Sequence, residues 1–472
     1  MTIDELRATA SALTSLHQRF APLFGRQEAQ AQSLVYLNGL LLSRERKSAE
    51  PMALLFGEPD DDGIGQNQVL GLQRFLSQSP WDGQDIQHEI QAVFGEDLVP
   101  STATWSIGTV GVFDSSGFPK KGRESVGVQR QYCGRLGKQE NCQVGVFLVG
   151  VTPAGCALLD HQLYLPKVWA QDKERRKKVH VPKEIRFQTE LKIAVSLLDR
   201  TKAAGKVGFD WVTADETYGR NGTFLDDLEA RSQRYVVEVP VNTTVWTADP
   251  ATQVPPPHQG KGRPSSRPRR DSVRSVKEVA ASLPADAWHA YQLREGACGP
   301  LVFEFAAVRV WAVRHRKPGP PIWLMIRRSL AAEPEIKYYV CNAPADTPLE
   351  SMALVSGCRV RVEEYFEDGK SHLGMAQYEA RGWSSWHHHM SLVAMAHLLV
   401  TLTRQELKKK TAELTLDLAL RVLRSALSRP TLTEQDAIEI IEYHLQRNRT
   451  ARKSHRKTWL RNHKNVRFKL LL

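Results

Sequence analysis

This sequence predicts an α/β protein whose mixed sheet is interrupted by a β-rich insertion and flanked by helical regions. Three observations predict it. Residues 1–98 carry apolar residues at helical spacing, short apolar runs joined by turns begin at about residue 102, and helical spacing returns after Pro348. The composition agrees, since 42% hydrophobic and 25% charged residues are ordinary for a globular chain with a sizeable core. A chain of 472 residues suggests about three domains at ~150 residues each.

Taken in order, LRATASALTSLHQRFAPLF, QAQSLVYLNGLLLS and QVLGLQRFLSQ read as helices of the 1–98 region. Asp60, Asp61 and Asp62 lie in the loop EPDDDGIG, where a solvated turn leading into a helix is the expected role. GTVGVFD (108–114), QVGVFLVGV (143–151) and CALLDHQLYLP (156–166) read as three strands, the first connection being long and basic. A helical stretch follows at 182–205, then a fourth strand at 207–215, and Leu225 to Ala230 form the core of another helix. Three adjacent strands, a helix, a strand and a helix is the order of an RNase H-like mixed sheet, although other α/β domains share it.

YVVEVPVNTTVW, PLVFEFAAVRVWAV, PIWLMIRRSL and EIKYYVCNA make residues 233–345 a β-rich insertion. The core is therefore read as 102–232 and 346–410, and residues 411–472 as a helical C-terminal region with a basic tail. Within the insertion, PPPHQGKGRPSSRPRR (255–270) has too little apolar content to pack and is expected to lack order on its own.

Net charge is +12, and it is concentrated. Arg447 to Leu472 holds ten Lys or Arg and no acid, and Lys261 to Lys277 holds seven against Asp271. This is a polyanion footprint or, alternatively, a solvated tail. No basic n-region with an apolar stretch opens the chain, and the run Met390 to Leu402 is shorter than the ~20 residues of a membrane span, so neither secretion nor a membrane is expected. Six cysteines without a CxxC pair read as buried free thiols, and Cys133 and Cys142 have no partner at zinc spacing.

Three acids carry the chemistry. Asp114 and Asp215 each follow an apolar strand, which places a carboxylate at the C-terminal edge of a sheet. Arg359, Glu363 and Lys370 stand at i, i+4 and i+11, within about 60° of one another on one helix face. Glu363, rather than its neighbour Glu364, is in register with Lys370. Two strand-end aspartates and a helix glutamate make an oxygen cage for hard divalent cations. A solvated i, i+4 ion pair is the competing reading of the helix. Asp160 is read as structural, His389 as facing the core, and His387 and His388 as facing solvent without a metal. The basic run Lys173 to Lys178 faces either DNA or solvent.

DSSGFPKKG, LYLPKVWAQDKERR, WVTADETYG and RVRVEEYFEDGKSHLG resemble the DDE transposases of bacterial insertion sequences, in the branch with an RNase H-like core and a β-strand insertion. Arg359, Glu363 and Lys370 match that branch's R-x3-E-x6-K signature, while Ser356 stands where the signature has a Tyr that helps hold the cleaved strand. The matching segments span roughly 105 to 400, and 148 residues separate Asp215 from Glu363, so the insertion accounts for the excess length.

The resemblance implies Asp114, Asp215 and Glu363 as catalytic ligands of Mg²⁺ or Mn²⁺, in a two-ion site. It implies cleavage and strand transfer on double-stranded DNA, with terminal inverted repeats and target DNA as partners, and a homodimer on that DNA. DNA contacts are then expected from Lys120, Lys121, Arg123, Arg359 and Lys370, from Arg267, Arg269 and Arg270, and from Arg452, Lys453, Arg456 and Lys457. The helical 1–98 region becomes a DNA-binding domain, and the location cytoplasmic and nucleoid-associated. A host-adapted nuclease without strand transfer and a catalytically silent DNA-binding regulator are the alternatives.

Overall fold

The computed structural model describes residues 3–43, 46–254, 268, 270–296, 299–408, 414–427 and 432–462. Five helices open the chain: α1 (Ile3–Phe20), α2 (Gln27–Leu42), α3 (Ala49–Phe56), α4 (Gln66–Ser77) and α5 (Gly83–Val93). Asp82 caps α5, its carboxylate accepting the Gln84 amide at 2.8 Å and satisfying a donor that has no partner within the helix. Asp60 closes the acidic turn, accepting from the Asp62 amide at 3.0 Å and from Asn67 at 3.0 Å.

The sheet begins with β1 (Val110–Pro119), β2 (Gln129–Cys133), β3 (Lys138–Val151) and β4 (Cys156–Leu163). Two short helices, α6 (Lys167–Gln171) and α7 (Lys173–Lys178), lead to α8 (Glu190–Ala204). Then come β5 (Trp211–Ala214), α9 (Glu216–Gly219), α10 (Gly222–Ala230) and β6 (Tyr235–Val239). β1 pairs antiparallel with β3, β3 with β4, and β1 pairs in parallel with β5, which pairs in parallel with β6. The order β4-β3-β1-β5-β6 is an RNase H-like mixed sheet, so the expected fold class holds.

Three local expectations change. β1 does not end at Asp114 but runs on to Pro119, because β3 pairs with it all the way to Cys142 and overrides the turn-like sequence DSSG. Gly117 permits this: a Cβ there would stand 2.7 Å from the Cys133 sulfur. β6, taken from sequence as the start of the insertion, hydrogen-bonds along β5 as the fifth strand of the core sheet. The helix expected over 182–205 starts only at Glu190, with Thr189 as its cap.

The rest of the insertion extends the same sheet. β7 (Thr244–Trp246), β8 (Val273–Ser275), α11 (Val276–Ala281), β9 (His289–Gly296), β10 (Gly299–Arg314), β11 (Lys317–Ser329) and β12 (Ile336–Cys341) follow, and β12 docks antiparallel on β6. Most of the loop 255–272, with Arg267 and Arg269, lies outside the described residues, while Arg270 is exposed. The helical return then comprises α12 (Leu349–Gly357), α13 (Val360–His372), α14 (Trp383–Lys408), α15 (Leu416–Ala426) and α16 (Glu434–Asn462).

α14 is the spine of one layer. Its run from Met390 to Val400 is buried, and it packs against α2, α4, α5, α15 and β4. The apolar run in the sequence is thus a core helix, and among the described residues no helix is long and apolar enough to cross a membrane. His388 corrects the sequence reading: it is buried, its ring stacks on Trp81 at 3.7 Å, and its nitrogens face the Leu76 and Trp81 carbonyls at 2.9 Å each. His387 is half-buried, and burial pushes its pKa down to about 3. His388 turned inward because the N-terminal helical region covers the face of α14 that a helix read in isolation leaves to water, and His387 because β4 packs beside it, its ring 5.7 Å from that of His161. The opposite face of the sheet is covered by α8 and α10, giving a helix–sheet–helix core.

Candidate active site

The two strand-borne aspartates become neighbours through register. β1 and β5 pair at Val110 with Trp211, Gly111 with Val212 and Val112 with Thr213. Two residues further on, at the period that keeps side chains on one face, stand Asp114 and Asp215. Asp215 leaves β5 and caps α9, its carboxylate accepting from the Thr217 amide at 2.9 Å, the Thr217 hydroxyl at 3.1 Å and the Tyr218 amide at 3.4 Å. Gly219 lets this short helix lie on β6, since a Cβ there would meet the Glu238 carbonyl oxygen at 2.0 Å.

Helix α13 packs against β1 and brings the third acid. Arg359, at its N-terminus, reaches Glu363 at 2.7 Å, Asp114 at 3.9 Å and Glu238 of β6 at 3.8 Å. One guanidinium therefore sits among three carboxylates. The Asp114 carboxyl is pushed up to about 7, first by burial and then by the charge of Asp215, with Arg359 opposing and Glu363 adding a smaller push. Lys370 donates to the Ser116 hydroxyl at 2.6 Å, two residues beyond Asp114. Glu364 is committed elsewhere, to Arg361 at 2.8 Å and to Arg294 of β9.

Donor chemistry fits a hard divalent cation, because the acids beside Asp114 are carboxylates, whose oxygens such ions prefer. As arranged, no three His, Cys, Asp or Glu side chains among the described residues enclose a position for an ion. Glu363 is turned onto Arg359, accepting from its guanidinium at 2.7 Å.

The expected basic contacts separate on the structure. Lys121 and Arg123 are exposed, and the Arg123 carbonyl accepts from Arg175 of α7 at 3.0 Å, which joins the two basic segments. Lys120 does not project. Its amine donates to the Tyr378 carbonyl at 2.9 Å and lies 3.3 Å over the Tyr378 ring, and burial pushes it down to about 7. A lysine beside a Gly/Pro turn looks solvated in sequence, but here the segment after α13 folds over it. Arg452, Lys453, Arg456 and Lys457 are exposed on α16. Ser356 is buried and its hydroxyl donates to the Ala353 carbonyl at 2.7 Å, so this position closes a turn of α12. Asp160 is structural, held by Arg200 at 2.9 and 3.1 Å.

Sequence reasoning missed three polar residues around the carboxylates. Glu238 had a signal, being the one acid inside the apolar strand YVVEV. Glu190, at the start of α8, and Tyr218, in α9, had none beyond their neighbours.

The structure thus sets two aspartates on adjacent central strands of an RNase H-like sheet and a glutamate on a helix packed against β1. The family described as DDE superfamily endonuclease matches residues 19–300, more than half of the chain, and the protein belongs to that family. The match includes β1 and β5 but ends before α13. The chain is also 27% identical over 185 residues to a probable transposase for insertion sequence element IS701 from Microchaete diplosiphon. That similarity covers 38% of this chain and 43% of the relative's length.

Proposed function

We propose that this protein is a DNA transposase that binds the terminal inverted repeats of an insertion sequence and catalyses metal-dependent cleavage and strand transfer. The observation that carries this reading is that Asp114 and Asp215 stand on adjacent parallel strands, close enough for the Asp215 charge to raise the Asp114 pKa, while Arg359 reaches both Asp114 and Glu363. Family membership and the transposase relative support it. Asp114, Asp215 and Glu363 would hold Mg²⁺ or Mn²⁺, as a pair of ions. Bound there, the ions supply Lewis acidity at the attacked phosphorus and lower the pKa of the attacking water or 3′-hydroxyl.

The chain's own residues do the rest. With Glu363 serving as a metal ligand, the Arg359 guanidinium that now donates to it would be available to hold a substrate phosphate in bidentate fashion. Lys370, anchored by Ser116 beside the site, adds a second positive charge. Lys121, Arg123 and the basic helix α7 continue that charge along one edge, and the exposed end of α16 supplies another. The N-terminal helices read the repeat, and the protein acts as a homodimer because two ends must be joined. A chromosomal substrate places it at the nucleoid.

Incubating the protein with a DNA fragment bearing the element's ends and Mg²⁺, with Asp114→Ala as control, tests this. Joined products that vanish in the variant are expected. Cleavage without joining would leave a nuclease, and binding without cleavage a regulator.

A further inference from the structure

β1 and β5 stop pairing at Val112 and Thr213, so nothing in the sheet itself fixes the gap between the two aspartates beyond that point. A chain of hydrogen bonds does. The Tyr218 amide donates to the Asp215 carboxylate at 3.4 Å, and the Tyr218 hydroxyl lies 3.1 Å from the Ser115 hydroxyl. The Ser115 amide in turn donates to the Asp114 carboxylate at 2.7 Å. The end of the chain is Glu190, whose pKa burial raises and a hydrogen bond from Ser115 holds back.

Each member is held from outside the site. The Tyr218 ring is buried, stacked on Phe113 at a centroid distance of 6.4 Å and edge-on to Phe224 at 5.2 Å. Glu190 is the first residue of α8, a 15-residue helix capped by Thr189 and packed on β3 and β4. The brace thus refers the spacing of two mutually repelling carboxylates to the rigid opposite layer of the core.

We propose that Ser115, Tyr218 and Glu190 are positioning residues that set the separation of Asp114 and Asp215 for cation binding. The proposal rests on reading those aspartates as the metal-holding pair. Glu190 acts as a hydrogen-bond acceptor for Ser115, and its charge is incidental to that role.

Calorimetric titration of the full chain with Mn²⁺ alone, without DNA, tests both levels. Loss of a hydrogen bond that orients a ligand costs about 10–100-fold in metal affinity. Ser115→Ala, Tyr218→Phe and Glu190→Ala are each expected to weaken Mn²⁺ binding by about that factor. Glu190→Gln, which keeps an acceptor oxygen, should bind as the wild type does. Ser115→Ala combined with Tyr218→Phe should bind no more weakly than either alone, because both break one chain. DNA cleavage at saturating Mn²⁺ should recover in all of them.

Asp114→Ala tests the underlying reading, which falls if that variant binds Mn²⁺ normally. If Asp114→Ala loses binding while Ser115→Ala and Tyr218→Phe keep it, the brace is wrong and the metal site stands. Equal losses in Glu190→Gln and Glu190→Ala would also overturn the proposal, since charge would then be the active property. Should Tyr218→Phe fail to fold, Ser115→Ala, which removes a single oxygen, decides the outcome.

Discussion

The carboxylate site and helix α16 are both dense in charge, yet they are built in opposite ways. At the site, Asp114 is half-buried against Asp215 and Glu363, and one guanidinium offsets them. In α16 no described residue is buried, and the stretch from Arg447 to Arg461 carries seven Lys or Arg without an acid. α16 meets the body through Glu439, which accepts the Ile64 amide at 2.8 Å, and through Arg447, which meets Glu50. Where charge is desolvated, each group's position decides its effect. Where charge is exposed to water, the number of groups decides it, because screening blurs their positions.

The largest expected effect is at the site. Asp114→Asn, Asp215→Asn and Glu363→Gln should each lower the cleavage rate by roughly 10²–10³-fold or more, the scale of losing one preorganised electrostatic group. Affinity for DNA should stay within about threefold, since the acids add no attraction to phosphate. A variant that cleaves normally would remove its residue from the catalytic set. The same Asp114→Asn protein, free of metal, should be more stable than the wild type at pH 8, by on the order of 2 kcal/mol, because an ionised carboxylate is no longer buried, nor set beside Asp215.

The pH dependence follows from the same group. A carboxyl raised to about 7 in the folded state binds more protons than it does unfolded, where it titrates near ~4. The folded protein therefore loses stability as pH rises from about 4 through about 7, and Asp114→Asn should flatten that fall. Cation binding needs the ionised form, so Mn²⁺ affinity should rise across the upper part of the same window with release of one proton. Calorimetry in buffers of different ionisation enthalpy counts that proton, and a pH-independent affinity would contradict the raised value.

Charge removal from α16 should act by count. Changing Arg452, Lys453, Arg456 and Lys457 together to Gln should leave the melting temperature nearly unchanged, since all four are exposed. The slope of log K against log salt on duplex DNA should flatten by up to about 3.6, at ~0.9 for each phosphate no longer neutralised. A slope that does not move would assign this helix to subunit assembly.

The smallest test contrasts adjacent lysines. Lys121→Ala should flatten the salt slope by at most about 0.9 and leave stability alone. Lys120→Ala should destabilise the fold by about 1 kcal/mol, because its amine no longer meets the Tyr378 ring and carbonyl, and change the slope little.

What the sequence determined by itself was whatever nearest neighbours encode. Alternating or continuous apolar runs marked β1, β3, β4 and β5, and helical spacing aligned Arg359, Glu363 and Lys370 on one face of α13. The choice of Glu363 over Glu364 also came from spacing, and the structure turns Glu364 away to Arg294 and Arg361. What tertiary structure alone decided was pairing and burial. β1 outran its turn-like residues because β3 lay beside it, β6 joined the core because β5 accepted it, and Lys120 and His388 turned inward because distant segments covered them. The hydrogen-bond chain from Glu190 through Ser115 and Tyr218 belongs to the same class, since its members come from three separate elements. Propensity and period act over a few residues, whereas register and desolvation depend on partners a hundred or more residues away, and no local pattern names those partners.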